Sequence, residues 1–197
     1  MPPAYDGAVT VEETSTAKTA LRRRVRATRR ERLADRDVEG EAAALAEHVT
    51  ALVHGHTQGR VCRVAAYESR PTEPPTHLLV DRLAAGGYEV VVPITLAELD
   101  LDWRVAGSTD PLGLNAIHDA GIIFAPALAV DRAGRRLGQG GGSYDRALAR
   151  RSPHALVVVL LHNGELLPAG DVPVDAHDVP VDVAVTPSGG AVRLRSG

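Results

Sequence analysis

"RVCRVAAYESRPTEPPTHLLVDRLAAGGYEVVVPI", residues 60–94, decides the fold class. Its ends, RVCRVAAYE (60–68) and YEVVVPI (88–94), are rich in β-branched and aromatic residues and read as strands. Between them THLLVDRLAAGG (76–87) has the apolar spacing of a helix that closes at Gly86. Strand, helix and strand in succession form a βαβ unit, because parallel neighbours need a crossover long enough to bring the chain back.

The pattern continues downstream. LDWRV (101–105) is a short alternating strand, STDPLG (108–113) a turn, and AGIIFAP (120–126) a buried strand stopped by Pro126. A helix is expected from about Ser143 to Arg151, followed by strands ALVVVLL (155–161) and VDVAVT (181–186). Upstream, Ser15 or Thr16 is expected to cap a helix running to about Leu33. A second helix spans about Asp37 to Val53, with Val38, Ala42, Leu45, Val49 and Leu52 as its inner face. The expected fold is α/β, a mostly parallel sheet with helices on both faces. Residues 1–13 are expected to be a mobile arm and residues 14–197 a single domain.

A chain of 197 residues with 44% apolar and 24% charged residues suits one globular domain, and its net charge of −3 excludes a nucleic-acid-coating protein. Nine of the 22 Lys and Arg lie within residues 18–36, and Lys18, Arg22 and Arg29 share one side of the first helix. Lys18 is the only lysine in the chain, so its selection at that place suggests a compact charge that reaches phosphate oxygens. The lone Cys62 excludes an internal disulfide, fits a reducing compartment and is expected to fill the core. The longest aliphatic run, 155–161, is too short to span a bilayer, and the expected location is cytoplasmic.

Chemistry concentrates in RRLGQGGGSYDRALAR (135–150), where Gly138, Gly140, Gly141 and Gly142 surround Gln139. Glycines let backbone N–H groups approach an anion, and a helix start adds partial positive charge, so the loop reads either as a phosphate cradle or as a structural turn. It is not a dinucleotide fingerprint, because Ser143 stands where the third glycine belongs. No lysine ends it as in a Walker A loop, and Asp145 breaks the G-x-S-x-G pattern. A carboxylate beside a phosphate cradle calls for a bridging cation, and Mg²⁺ binds through one or two carboxylates plus phosphate oxygens. Asp145 is the first candidate ligand and Asp178 the second. The histidines at 54, 56 and 177 have no zinc-ligand spacing and read as solvent-facing loop residues.

Four blocks together resemble the 5-formyltetrahydrofolate cyclo-ligase family: KTALRRRVRATRR (18–30), EPPT (73–76), APALAVDRAGRRLGQGGGSYDRAL (125–148) and VPVDAHDVPVDVAVT (172–186). The third is the most specific. The resemblance implies a fold related to sugar-phosphate isomerases and CoA transferases. It also implies ATP- and Mg²⁺-dependent conversion of 5-formyltetrahydrofolate to 5,10-methenyltetrahydrofolate, releasing ADP and phosphate. In that reaction the formyl oxygen takes the γ-phosphoryl group, N10 attacks the activated carbon and phosphate leaves.

Residue by residue, the resemblance implies that Lys18 and Arg22 hold ATP phosphates and act catalytically. Arg136, Gly138, Gln139 and Gly140 join them at ATP, with Gly141, Gly142 and Tyr144. Glu73, Ser143 and Tyr144 contact the folate, and Asp145 and Asp178 hold Mg²⁺. The implied partners are reduced folate and ATP, with no nucleic acid or membrane, and the implied assembly is a monomer or small homo-oligomer. The chain departs from the family at Ser143 (usually Tyr), Ala127 (Gly), Val130 (Phe), Glu165 (often Gln) and 113–117, which lacks a Glu-Pro. Two other readings are a diverged relative that keeps nucleotide but acts on another substrate, and a non-catalytic anion or nucleic-acid-binding module. The second should show steeply salt-dependent binding.

Overall fold

Five parallel strands form the centre of the computed structural model, which describes residues 10–175 and 178–194. The strands are β1 (Arg63–Ala65), β2 (Glu89–Thr95), β4 (Ala120–Pro126), β7 (Leu156–Leu160) and β9 (Val183–Thr186). The edges are antiparallel: β3 (Leu101–Val105) closes one side and β10 (Gly190–Arg193) the other, giving the order β10-β9-β7-β4-β1-β2-β3. The βαβ unit stands as expected, with β1 beside β2 in parallel and α3 (His77–Ala85) crossing between them. Its first strand is shorter than expected, because residues 66–76 leave the ladder as a loop.

Alternation along the central strands explains their continuous apolar runs. Leu156, Val158 and Leu160 face a core shared with α2 (Val38–Thr57) and α3, while Val157, Val159 and Leu161 face the opposite core. That second core is covered by α4 (Ser143–Ala149) and a 3-10 turn at Leu114–Asp119. Helices therefore lie on both faces. A residue buried completely on either side contributes about 1.5–3 kcal/mol relative to exposure.

A second sheet, absent from the sequence reading, has the order β6-β5-β8, from Arg136–Leu137, Ala129–Asp131 and Leu166–Leu167. Strands of two or three residues carry too little periodicity to be read from sequence. Asp131 organises its hairpin: one carboxylate oxygen accepts from the Ala133 and Arg135 N–H groups, the other from Gly170 N–H. Against this sheet lies α1 (Val11–Arg32), whose Leu21 and Val25 meet Leu128, Ala129, Leu137 and Val172.

Several boundaries differ from the sequence reading. Thr10, rather than Ser15 or Thr16, caps α1 through a reciprocal box with Glu13, so residues 11–13 are the first helical turn rather than arm. On α2 the buried stripe runs through Ala42, Leu45, Ala46, Val49 and Val53, while Val38 is exposed and Leu52 half-buried. His54 and His56 are exposed but sit on the last turn of α2 rather than in a loop, and His177 lies outside the described residues. Cys62 is half-buried at the margin of the α2/α3 core, where burial pushes its thiol up. No helix among the described residues is long and apolar enough to cross a membrane.

Trp103 on β3 is fully buried, and its indole N–H has no hydrogen-bond partner. Trp103→Phe, which removes that unpaired donor along with part of the ring volume, should cost less than removal of the whole side chain. Trp103→Ala should cost about 3–5 kcal/mol. Urea unfolding of the two variants measures the difference.

Candidate active site

A cleft of about 500 Å³ opens at the carboxyl ends of β1, β2 and β4, where ligands of parallel sheets usually sit. The glycine loop between β6 and α4 forms one wall and the loop after β1 the other. Gly140 (φ +99°) and Gly142 (φ +74°) occupy the left-handed region that disfavours side chains. A Cβ on Gly140 would also lie 3.4 Å from Nε of Arg22. The backbone path thus requires glycine at both positions.

Arginines of α1 hold the loop from below. Arg22 donates from Nε to the Gly138 carbonyl at 3.0 Å, and Arg26 from Nη2 to the Gln139 carbonyl at 2.6 Å. Gln139 continues the link, since its amide donates to Glu73 Oε1 at 3.2 Å on the opposite wall. Glu73 is buried, and its other carboxylate oxygen accepts from Arg70 N–H at 2.9 Å. A chain of polar contacts therefore crosses the floor of the cleft from α1 to Glu73.

Of the expected residues, Glu73, Arg136, Gly138 to Gly142, Ser143, Tyr144 and Asp145 all line the cleft. Ser143 begins α4, and Arg136 pairs with Asp145 across the start of that helix. Arg136 Nε and the hydroxyls of Tyr67 and Tyr144 are buried without a hydrogen-bond partner. Desolvation pushes both phenols up, so they are neutral at ordinary pH and suited to hydrogen bonding with a ligand.

Lys18, Arg22 and Asp178 stand behind the loop rather than on the cleft wall. Lys18 is buried, with Nζ 2.6 Å from Asp175 Oδ2 and 2.5 Å from Asp178 Oδ2. The expected phosphate lysine and the expected second metal ligand thus hold each other, and Asp178 also accepts from Asp175 N–H. Among the described residues, no group of three or more His, Cys, Asp or Glu could hold a metal by itself. Of the two expected metal ligands, Asp145 lines the cleft and pairs with Arg136, while Asp178 lies off the cleft wall and pairs with Lys18.

Sequence reasoning missed Arg26, Tyr67 and Arg70, all on the cleft wall. Arg26 was findable, because it lies one helical turn from Arg22. Tyr67 sat inside an expected strand, and nothing in the sequence marked it as the first residues of a loop. The exchange of Gln for Glu165 also finds its reason: Arg29 Nε and Nη2 bond its two carboxylate oxygens at 2.7 and 2.8 Å, and Nη2 reaches the Ala127 carbonyl.

A sequence model of the 5-formyltetrahydrofolate cyclo-ligase family matches residues 14–187. The 5-formyltetrahydrofolate cyclo-ligase of Mycolicibacterium smegmatis is 36% identical over 177 residues, covering 80% of this chain and 87% of that protein. The enzyme of the same name from Mus musculus is 30% identical over 133 residues, covering 64% and 59%. Among solved structures, 5,10-methenyltetrahydrofolate synthetase of Aquifex aeolicus superposes with a TM-score of 0.68 at 25% identity, covering 91% of this chain and 94% of that one. The synthetase of Mycoplasma pneumoniae shares the fold at 19% identity, with a TM-score of 0.65 over 85% of this chain and 96% of its own.

Gly140→Ala and Gly142→Ala should each cost about 1–2 kcal/mol of stability through the left-handed backbone. Both should also weaken nucleotide binding measured by calorimetry. Gly107→Ala, at another positive φ (+84°) but with open space around its Cβ, is the comparison: it should lose stability and keep nucleotide affinity.

Proposed function

Because the chain belongs to the 5-formyltetrahydrofolate cyclo-ligase family, we propose that the cleft between the glycine loop and Glu73 is where it uses ATP to convert 5-formyltetrahydrofolate to 5,10-methenyltetrahydrofolate. The observation that carries this placement is the shared cleft: a glycine-walled, arginine-pinned loop faces a buried carboxylate across a floor bridged by Gln139.

The reaction needs no covalent nucleophile from the protein. A formamide oxygen leaves poorly until phosphorylated, and the folate's own N10 closes the ring. Phosphoryl transfer of this kind depends on positioning and charge neutralisation. Backbone N–H groups of residues 138–142 take the nucleotide phosphates, and Lys18 and Arg22 neutralise the transferring group. Asp145 and Asp178 would hold a Mg²⁺ brought by the phosphates. That ion, when bound, shields charge on the phosphate oxygens. Glu73 orients the folate, and the unpaired Tyr67 and Tyr144 hydroxyls offer hydrogen bonds to its polar ring.

The test is formation of 5,10-methenyltetrahydrofolate, followed by absorbance, from 5-formyltetrahydrofolate and Mg-ATP, with ATP or Mg²⁺ omitted in parallel. Product should require both. Lys18→Ala should lower kcat/KM roughly a hundredfold or more, as expected for loss of a charge at the transferring group. The exposed-charge control Arg32→Ala should stay within about threefold of wild type. Equal losses in the two variants would remove Lys18 from the reaction.

A further inference from the structure

Behind the Glu73 wall, the structure assigns a role to two residues that do not line the cleft: we propose that Arg36 and His162 are positioning residues for the folate. They hold three consecutive carbonyls of the loop that carries Glu73. Arg36 Nη1 donates to Pro71 O at 2.8 Å, His162 Nε2 to Thr72 O at 3.2 Å, and Arg36 Nη2 to Glu73 O at 3.3 Å. The proposal rests on the reading of Glu73 as the folate contact.

The clamp is itself fixed on both sides. Arg36 sits between α1 and α2 with its side chain 7% exposed, and Glu41 on α2 accepts from its Nη2 at 2.7 Å. His162 follows β7, and its own N–H donates to Glu165 Oε2 at 2.9 Å. Glu165 is in turn locked by Arg29 of α1. Glu41 also lies 3.3 Å from His162 Nδ1 but makes no hydrogen bond there, so this carboxylate fixes Arg36 and not the imidazole. A carbonyl can only accept, so His162 must carry its proton on Nε2 to bond Thr72.

Without the clamp, the loop retains its internal bonds. Ser69 and Thr76 exchange two, Thr76 Oγ1 donates to Tyr67 O, and Glu73 closes a turn on Arg70. Those contacts fix the loop's shape but join it only to itself. The Glu68–Arg104 pair and the burial of Tyr67 anchor its start, while placement of the Glu73 end against the glycine loop rests on Arg36 and His162 on one side and the Gln139 contact on the other. A buried loop of this kind can shift as a body, and such a shift would move the Glu73 carboxylate relative to bound folate while leaving the nucleotide contacts of α1 intact.

Three substitutions test this. His162→Phe keeps the ring volume and removes the donor, His162→Gln restores an N–H donor, and Arg36→Gln leaves Glu41 part-solvated rather than buried unpaired. His162→Phe and Arg36→Gln should raise KM for 5-formyltetrahydrofolate roughly five- to tenfold with KM for ATP unchanged. His162→Gln should recover most of the loss. Hydrogen exchange at the Arg70 and Glu73 amides, measured without ligands, should stay slow in all variants if the loop moves as a body. An unchanged folate KM in both donor-deleting variants, or a parallel rise in both KM values, overturns the proposal. The two readings fail separately: wild-type protein without turnover refutes the folate assignment. In that event, loss of the Thr72–His162 contact is read from the imidazole proton signal of wild type against His162→Gln, and its absence in wild type refutes the clamp.

Discussion

One side of α1 carries Lys18, Arg22, Arg26 and Arg29 at helical spacing, and each cation bonds a loop distant in sequence. Lys18 holds Asp175 and Asp178, Arg22 and Arg26 hold the glycine loop, and Arg29 holds Glu165 and the end of β4. The apolar contact of the helix is small by comparison, with Leu21 buried and Val25 half-buried. Attachment through buried ion pairs is specific rather than strongly stabilising, because desolvation offsets much of the Coulombic gain. Removing one partner is costly, however, at about 3–5 kcal/mol for a buried pair. The helix docks against all of these segments at once, which ties placement of the site's loops to its docking.

Ionic groups around the glycine loop are paired with one another. Lys18 faces two aspartates and Arg136 faces Asp145, so the groups expected to meet phosphate and metal are already paired with one another. That arrangement avoids holding an unpaired buried charge, which is costly to remove from water. It also explains how the chain can carry its single lysine in a buried place.

The central sheet was legible because long apolar runs and a well-spaced helix leave local signatures. Residues 155–161 read as a strand, and Leu156–Leu160 form one whose alternate residues enter the two cores. The small sheet was not legible: its pairing depends on the Asp131 turn and on contacts distant in sequence. The same limit applied at the site. Residue types in the glycine loop offered an anion cradle as one of two readings, but Lys18 and Asp178, which are 160 positions apart, gave no sign that they would pair. The family departure at Glu165 likewise became intelligible only beside Arg29, its partner across 136 positions.

The most direct measurement is hydrogen exchange along α1 and the glycine loop, with and without a non-hydrolysable ATP analogue and Mg²⁺. If α1 assembles the site through its cations, residues 18–29 and 138–142 should gain protection together on binding. Protection confined to the loop, with α1 exchanging as before, would contradict the account.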